Sequence, residues 1–201
     1  MKEAFTHKSL LILGRGIGQV MFQNNALSGL LMLIGIFLNS WQMGLLAVSG
    51  NIISTSTGRI SGYDRDDIKN GLYGFNGTLV GIAVGVFMHL TVNSLILMAI
   101  ASCASTYIAR FFNMQRMLPG FTTLFILSVW MLLGLCSWLM PDMLLVSDTE
   151  TPASSSINYL QCFSMSIGQV MFQGNIMTGL FFLAGTVSYT HLRAHETSAH
   201  L

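Results

Sequence analysis

The stretch IGQVMFQNNALSGLLMLIG at residues 17–35 returns as IGQVMFQGNIMTGLFFLAG at residues 167–185, a constant offset of 150, with twelve of the nineteen positions identical. A unit of this length is far too long for a solenoid, whose repeats run to about 20–50 residues. In an apolar chain it points instead to the internally duplicated halves from which channels and secondary transporters are built. The second copy has scarcely begun where the apolar sequence ends. The chain therefore reads as one half of such a protein and the opening segment of the other.

Composition places these copies in a membrane. Of 201 residues 52% are hydrophobic and 8% charged, and mean hydropathy is +0.63; a soluble domain carries about a quarter charged residues. A net charge of +1 gives no field to attract a polyanion, so nucleic-acid binding is excluded. Cys103, Cys136 and Cys162 form no C-x-x-C pair and have no histidine at ligand spacing, and read as small hydrophobes. The opening MKEAFTHKSLLILGR has too short an apolar core and no small-residue cleavage site for a cleaved signal peptide.

Five apolar runs occupy about 26–38, 41–56, 72–88, 92–109 and 118–140. The first two fall short of the roughly 20 residues of a straight span. Short, glycine-interrupted segments in matching positions of two halves are the pattern of broken or re-entrant helices at mid-membrane depth. Most of the glycines, Gly29, Gly35, Gly44, Gly50, Gly71, Gly74, Gly77, Gly81 and Gly85, read as helix-packing positions. Lys2, Lys8 and Arg15 precede the first run, Arg59, Arg65 and Lys69 follow the second, and Arg110 and Arg116 follow the fourth, whereas the connections near 39–40, 89–92 and 141–161 hold no Lys or Arg. If each run crosses once, these basic residues share one side, which the positive-inside rule makes cytoplasmic together with the N-terminus. An odd number of crossings sends the second copy in from the opposite face, an inverted repeat.

The expected organisation is an all-α polytopic membrane protein: a first five-span repeat with a re-entrant pore helix at 1–140, an extracytoplasmic linker at 141–165, the start of the second repeat at 166–186, and a segment of different character at 187–201. From Val187 the sequence VSYTHLRAHETSAHL turns polar and holds three of the five histidines. VSYTHLRAHET resembles the in-frame translation of a transposase sequencing adapter, so 187–201 is expected to be non-native. The competing reading is a metal site of His191, His195 and His200; no metal site and no cofactor is expected.

Catalysis needs an activated nucleophile, a general acid and base, or a metal cluster. The interiors of the five runs hold no Asp, Glu, Lys or Arg, and His89 at the end of the third reads as an interfacial residue. Without intramembrane charge, ion coupling and proton relays are disfavoured, and a neutral solute is expected. What the runs offer is uncharged: Gln19, Phe22, Gln23 and Asn25 in the first copy, Gln169, Phe172, Gln173 and Asn175 in the second, then Tyr73, Phe75, Asn76, Thr78 and Leu79, and Pro119, Thr122 and Thr123. Gln19 and Phe22 are three residues apart, so on a helix an amide and a ring share one face. Phe at helical spacing usually packs, and Thr in a membrane helix usually bonds its own backbone. Repetition of Gln and Phe at the same spacing in both copies calls for a further reason.

GQVMFQNNALSGLL, GLYGFNGTLVG and LPGFTTLFILSVW, in this order, resemble the first half of a bacterial urea transporter, and GQVMFQGNIMTGL resembles the start of its second half; the likeness covers about residues 10–186. The resemblance implies a passive urea permease of the bacterial inner membrane. It also implies a homotrimer with one pore per subunit, ten spans and two short pore helices, and a narrow filter in which Phe pairs sandwich urea beside a ladder of oxygens. Matched residue by residue, Gln19 and Phe22 correspond to an outer filter site, Phe75 and Leu79 to the second aromatic and its apolar neighbour, Thr122 to the central constriction with Thr123 as the one-residue alternative, and Gln169 and Phe172 to an inner site. Leu124 and Asn25-Ala26 depart from the family pattern, where prolines are frequent, which bears on local helix-end geometry. The partners of Phe75, Leu79 and Thr122 from the second half are missing from the chain, so this fragment is itself expected not to transport.

Urea is planar and neutral, with four N–H donors and one carbonyl, and stripping its water without replacement costs several kcal/mol. Oxygens can receive the N–H groups while two ring faces admit only something flat. The competing readings are a channel for another small neutral solute such as water, glycerol or ammonia, an intramembrane enzyme, or a structural membrane subunit. The available half has no Asn-Pro-Ala pair and no mid-membrane histidine pair.

Overall fold

The computed structural model describes the backbone of residues 2–115, 122–145 and 159–198. The described residues form α1 (Lys2–Gly18), α2 (Ala26–Asn39), α3 (Trp41–Ile60), the short α4 (Arg65–Lys69), α5 (Gly74–Phe87), α6 (Val92–Gln115), α7 (Thr123–Leu139), α8 (Tyr159–Gly168) and α9 (Ile176–Ser198). Among the described residues the fold is all-α, with one isolated bridge between Met88 and Leu144. Pro119 lies outside the described residues, as does most of the acidic Ser/Thr-rich connection.

α5 is the axis of the packing. Asn76 to Val84 are buried without interruption, as befits a helix apolar all round and enclosed by neighbours. Glycine permits that enclosure. A Cβ at Gly50 of α3 would collide with the carbonyl oxygen of Gly77, one at Gly77 with that of Gly50, and one at Gly81 with that of Leu46. Backbones at this range are held by van der Waals contact and polar links. Asn51 Nδ2 donates to Thr78 Oγ1 at 2.9 Å, Thr55 donates to Asn51 Oδ1 at 3.2 Å, and Ser54 Oγ donates to Tyr73 O at 2.8 Å while lying 2.6 Å from Thr106 of α6. Thr78 is thereby committed to structure.

α1 is an element the hydropathy reading did not resolve, since the first apolar run was placed at 26–38. Leu10 to Leu13 favour helix, and Gly14 and Gly18 let α2 cross closely: a Cβ at Gly29 would strike the carbonyl oxygen of Gly14. The pair bends by 77° between Lys8–Met21 and Ala26–Asn39, and α8–α9 bends by 76° at the corresponding place. Among the described residues Val92–Phe112 is the one helix that alone is long and apolar enough to cross a membrane; α5 and α7 have 14 and 17 residues. The bent pairs therefore stand where two straight crossings would otherwise be counted. α8 begins at Tyr159, inside the stretch read as linker, and the repeat thus extends further back than the sequence identity does. α9 runs through Val187 without a break, so the change of composition there is not marked in the backbone.

The alternation of basic and uncharged connections becomes two ends of the molecule. Arg15 Nη1 donates to Lys69 O at 3.2 Å, and Arg110 lies 5.2 Å over the ring of Tyr63. In the same α3–α5 connection, backbone N–H groups of Asp67 and Asp66 hold the Asp64 carboxyl below the usual range, and burial pushes that of Asp67 up. At the other end His89 N donates to Met143 O and Leu145 N to Phe87 O, both at 2.9 Å.

Candidate functional site

Each copy of IGQVMFQ ends its helix in the same way. A 3-10 turn, Gln19–Met21 or Gln169–Met171, is closed by a phenylalanine in the left-handed region, Phe22 at φ 58° and Phe172 at φ 56°. Phe22 N donates to Gln19 O at 2.9 Å and Gln23 N to Gly18 O at 3.0 Å, and the second copy repeats these bonds at 3.0 and 3.1 Å. Asn25 and Asn175 then start the next helix, their side-chain oxygens accepting from Leu27 N and Met177 N at 2.8 Å each. The cap is therefore intact although Ala26 stands where a proline is frequent. The expectation that Gln19 and Phe22 share one face of an α-helix is corrected here. The positive φ at Phe22 swings its Cβ away from the helical direction, and Phe22 is 64% exposed while Gln19 Nε2 donates to Asn70 O at 3.0 Å.

The two turns sit at opposite ends of α5. The first meets the connection leading into α5 through the Gln19–Asn70 bond. The second meets its far end, where the Phe172 ring packs edge-on against Phe87 with centroids 5.7 Å apart and planes at 81°. A helix of 14 residues places the turns about 20 Å apart. Between them α5 carries Phe75, half-buried, and Leu79, 2% exposed, both packed in the main core. Thr122 is half-buried at the start of α7 and Thr123 is exposed. Leu124, the other departure from the family pattern, is buried with Ile68, Tyr73 and Ala109.

The resemblance labelled Gln19 and Phe22 outer and Gln169 and Phe172 inner, whereas the charge rule made the basic end cytoplasmic. Because Gln19 bonds Asn70 beside the Arg15–Lys69 contact, the two assignments are incompatible. Keeping the basic end inside makes the first turn the inner one.

Three participants were not legible beforehand. Phe87 had no signal beyond closing an apolar run. Asn39 Nδ2 donates to Gln173 Oε1 at 2.6 Å, and Gln173 Nε2 donates to Met171 O at 2.8 Å, which locks the second turn to α2. Asn76, noted only as part of a polar cluster, is fully buried with both amide atoms lacking a partner among the described residues. It is thus a free donor and acceptor in the packed interior. His191 is exposed, while the side chains of His195 and His200 lie outside the described residues.

Residues 10–195 match the urea transporter family model, a match that runs past Val187 into the polar end. Urea transporter 1 of Mus musculus is 29% identical over 188 residues, which cover 84% of this chain and 48% of the relative. Urea transporter 1 of Rattus norvegicus is 42% identical and that of Ovis aries 40%, each over 73 residues covering 36% of this chain and 19% of the relative. The chain spans about half the length of the mouse relative it matches.

Proposed function

Because the chain belongs to the urea transporter family, a family of membrane transporters, we propose that it forms the first half of a passive urea channel, with α5 running along the conduction path and a phenylalanine turn at each end. The observation that carries this reading is the twofold occurrence of Gln-Val-Met-Phe-Gln in one backbone conformation at opposite ends of α5. Gln19, Phe22, Phe75, Leu79, Thr122, Gln169 and Phe172 are the proposed substrate-binding residues. The rings select a flat molecule, Thr122 and the glutamine side chains exchange hydrogen bonds with urea, and Leu79 keeps the slot apolar enough to reject a flat cation such as guanidinium. Passage needs no coupling ion and is downhill, and no group in the set calls for chemistry on the solute.

The complete channel on this reading pairs α5 and its neighbours with an inverted second half. It is a homotrimer with one path per subunit, multi-pass in a bacterial inner membrane, with a cytoplasmic N-terminus and residues 187–201 foreign to it. Support for the inversion comes from the packing of α2 on α9. Gly35 faces Thr178 O, with a Cβ at 3.3 Å, and Gly185 faces Ser28 O, with a Cβ at 3.1 Å. These pairs exchange under the offset of 150, as contacts about a two-fold axis do.

The test is stopped-flow urea flux in proteoliposomes, comparing this chain with a version extended by a complete second half, and the extended version with its Phe75→Ala and Thr122→Val variants. Saturable, ion-independent flux in the extended protein alone, altered by both substitutions, is expected. Water or ammonia flux without urea flux would leave the family fold standing and withdraw the filter residues.

A further inference from the structure

At the basic end, a cavity of about 670 Å³ is lined by Lys8, Arg15, Arg59, Arg65 and Lys69. Aspartates stand nearby on the same connection, but none lines it. Asp66 is held by Lys69 Nζ at 2.8 Å, and Asp64 Oδ1 caps α4 by accepting from the backbone N–H groups of Asp66 and Asp67 at 2.8 and 3.1 Å. Lys8, Arg15, Arg59 and Arg65 have no carboxylate within ion-pair distance among the described residues. Four cations line one space with no counter-ion among the described residues, which side-chain repulsion opposes unless an anion enters. Topology alone requires basic residues on one side of a membrane and does not require them to converge.

The surroundings say what kind of anion fits. Leu11 on α1 also lines a second, adjoining cleft of about 410 Å³ between α1, α2 and α3, whose walls are almost wholly apolar. Leu10, Leu27 and Leu30 stand along it 63%, 51% and 50% exposed. A basic cavity that meets an apolar cleft at a shared residue matches an amphiphile with a phosphate at one end and a hydrocarbon chain at the other. A free phosphate would use the cavity and leave the cleft unexplained.

We propose that the cavity and its adjoining cleft bind one anionic phospholipid, the headgroup phosphate among Lys8, Arg15, Arg59 and Arg65 and an acyl chain along Leu11 and Leu30. The site adjoins the first phenylalanine turn through the Arg15–Lys69 contact, but none of its proposed ligands is a filter residue and its test does not depend on urea flux. The experiment follows thermal unfolding of the full chain in neutral detergent on addition of phosphatidylglycerol, phosphatidylcholine or inorganic phosphate. Phosphatidylglycerol near a hundredfold excess over its dissociation constant is expected to raise the melting temperature by about 5–10 °C. Phosphatidylcholine is expected to give less than half of that and phosphate alone none. Arg59→Gln with Arg65→Gln should abolish the difference between the two lipids, the corresponding double Lys variant should keep it, and Leu30→Trp, which fills the cleft, should reduce it. Equal shifts from the two lipids would overturn the headgroup assignment. A full shift from phosphate alone would make this an ordinary anion site and overturn the lipid. Should the glutamine variant not fold, the unaltered chain still decides, because about 0.5 M NaCl must collapse the phosphatidylglycerol shift onto that of phosphatidylcholine; persistence of the difference refutes the charge-based site.

Discussion

A phenylalanine at positive φ carries a steric penalty of about 1–2 kcal/mol that glycine does not, and this chain places one at the same point of both copies, Phe22 and Phe172. Strain kept at a corresponding position on two occasions is best explained by what the ring does there. Phe22 is 64% exposed, so most of its ring stands clear of the core. Phe22→Gly is expected to hold or raise the melting temperature in detergent, whereas Phe22→Ile, branched at Cβ, should cost about 1–2 kcal/mol more; equal melting of the two variants would show that the turn is not strained. Asn76 allows a second test. Its amide is buried and unpartnered among the described residues, so Asn76→Leu should stabilise the chain by removing an unsatisfied polar group. Neither residue's role was legible beforehand: the motif marked Phe22 and Phe172 as important, but a spacing of three residues reads as helix until the sign of φ is known.

At the scale of elements, the helices followed from hydrophobic runs and caps, and their ends moved only by residues. α3 and α5 join through glycine. Gly77→Ala sets a methyl against the Gly50 carbonyl, with Ser54 Cβ also 2.5 Å away, and is expected to destabilise by about 1–3 kcal/mol. Gly134→Ala on α7 meets nothing within 4 Å and should stabilise by about 0.5–1 kcal/mol through helix propensity. Parallel thermal melts decide the matter, and the assignment of the glycine contact fails if both alanines act alike. Gly77 and Gly134 are both glycines inside apolar runs. Their difference depends on which neighbour each faces, and a single sequence does not carry that information. α1 was missed for a related reason, since fewer than 20 apolar residues do not mark a span, yet glycines that admit close neighbours let a short helix pack.

For the whole molecule, the offset of 150 turns one contact into a forecast for another. Asn39 of α2 donates to Gln173, so the counterpart at 189 on α9 should serve Gln23. That position holds Tyr189, beyond the change of composition at Val187, and Gln23 Oε1 is buried without a hydrogen bond from the described residues. Tyr189→Asn is therefore expected to melt about 2–4 °C above Tyr189→Ala, the shift that one restored interaction of about 1 kcal/mol gives a chain of this size. The gain should vanish in a Gln23→Leu background. A gain of equal size in both backgrounds would mean that 189 acts through something other than Gln23.

Composition and repetition along the chain were enough for the membrane class, the all-α architecture, the duplication and the division of charged from uncharged connections. Each of these depends on composition, or on like residues recurring at a fixed separation, and hydrophobic burial and the positive-inside bias act on those features directly. Long-range packing set the two phenylalanine turns at opposite ends of α5, brought Phe87 and Asn39 to the second of them, and turned Gln19 toward the basic end. Those facts depend on the sign of one backbone angle and on which helix meets which, and both are set by packing among residues far apart in the chain.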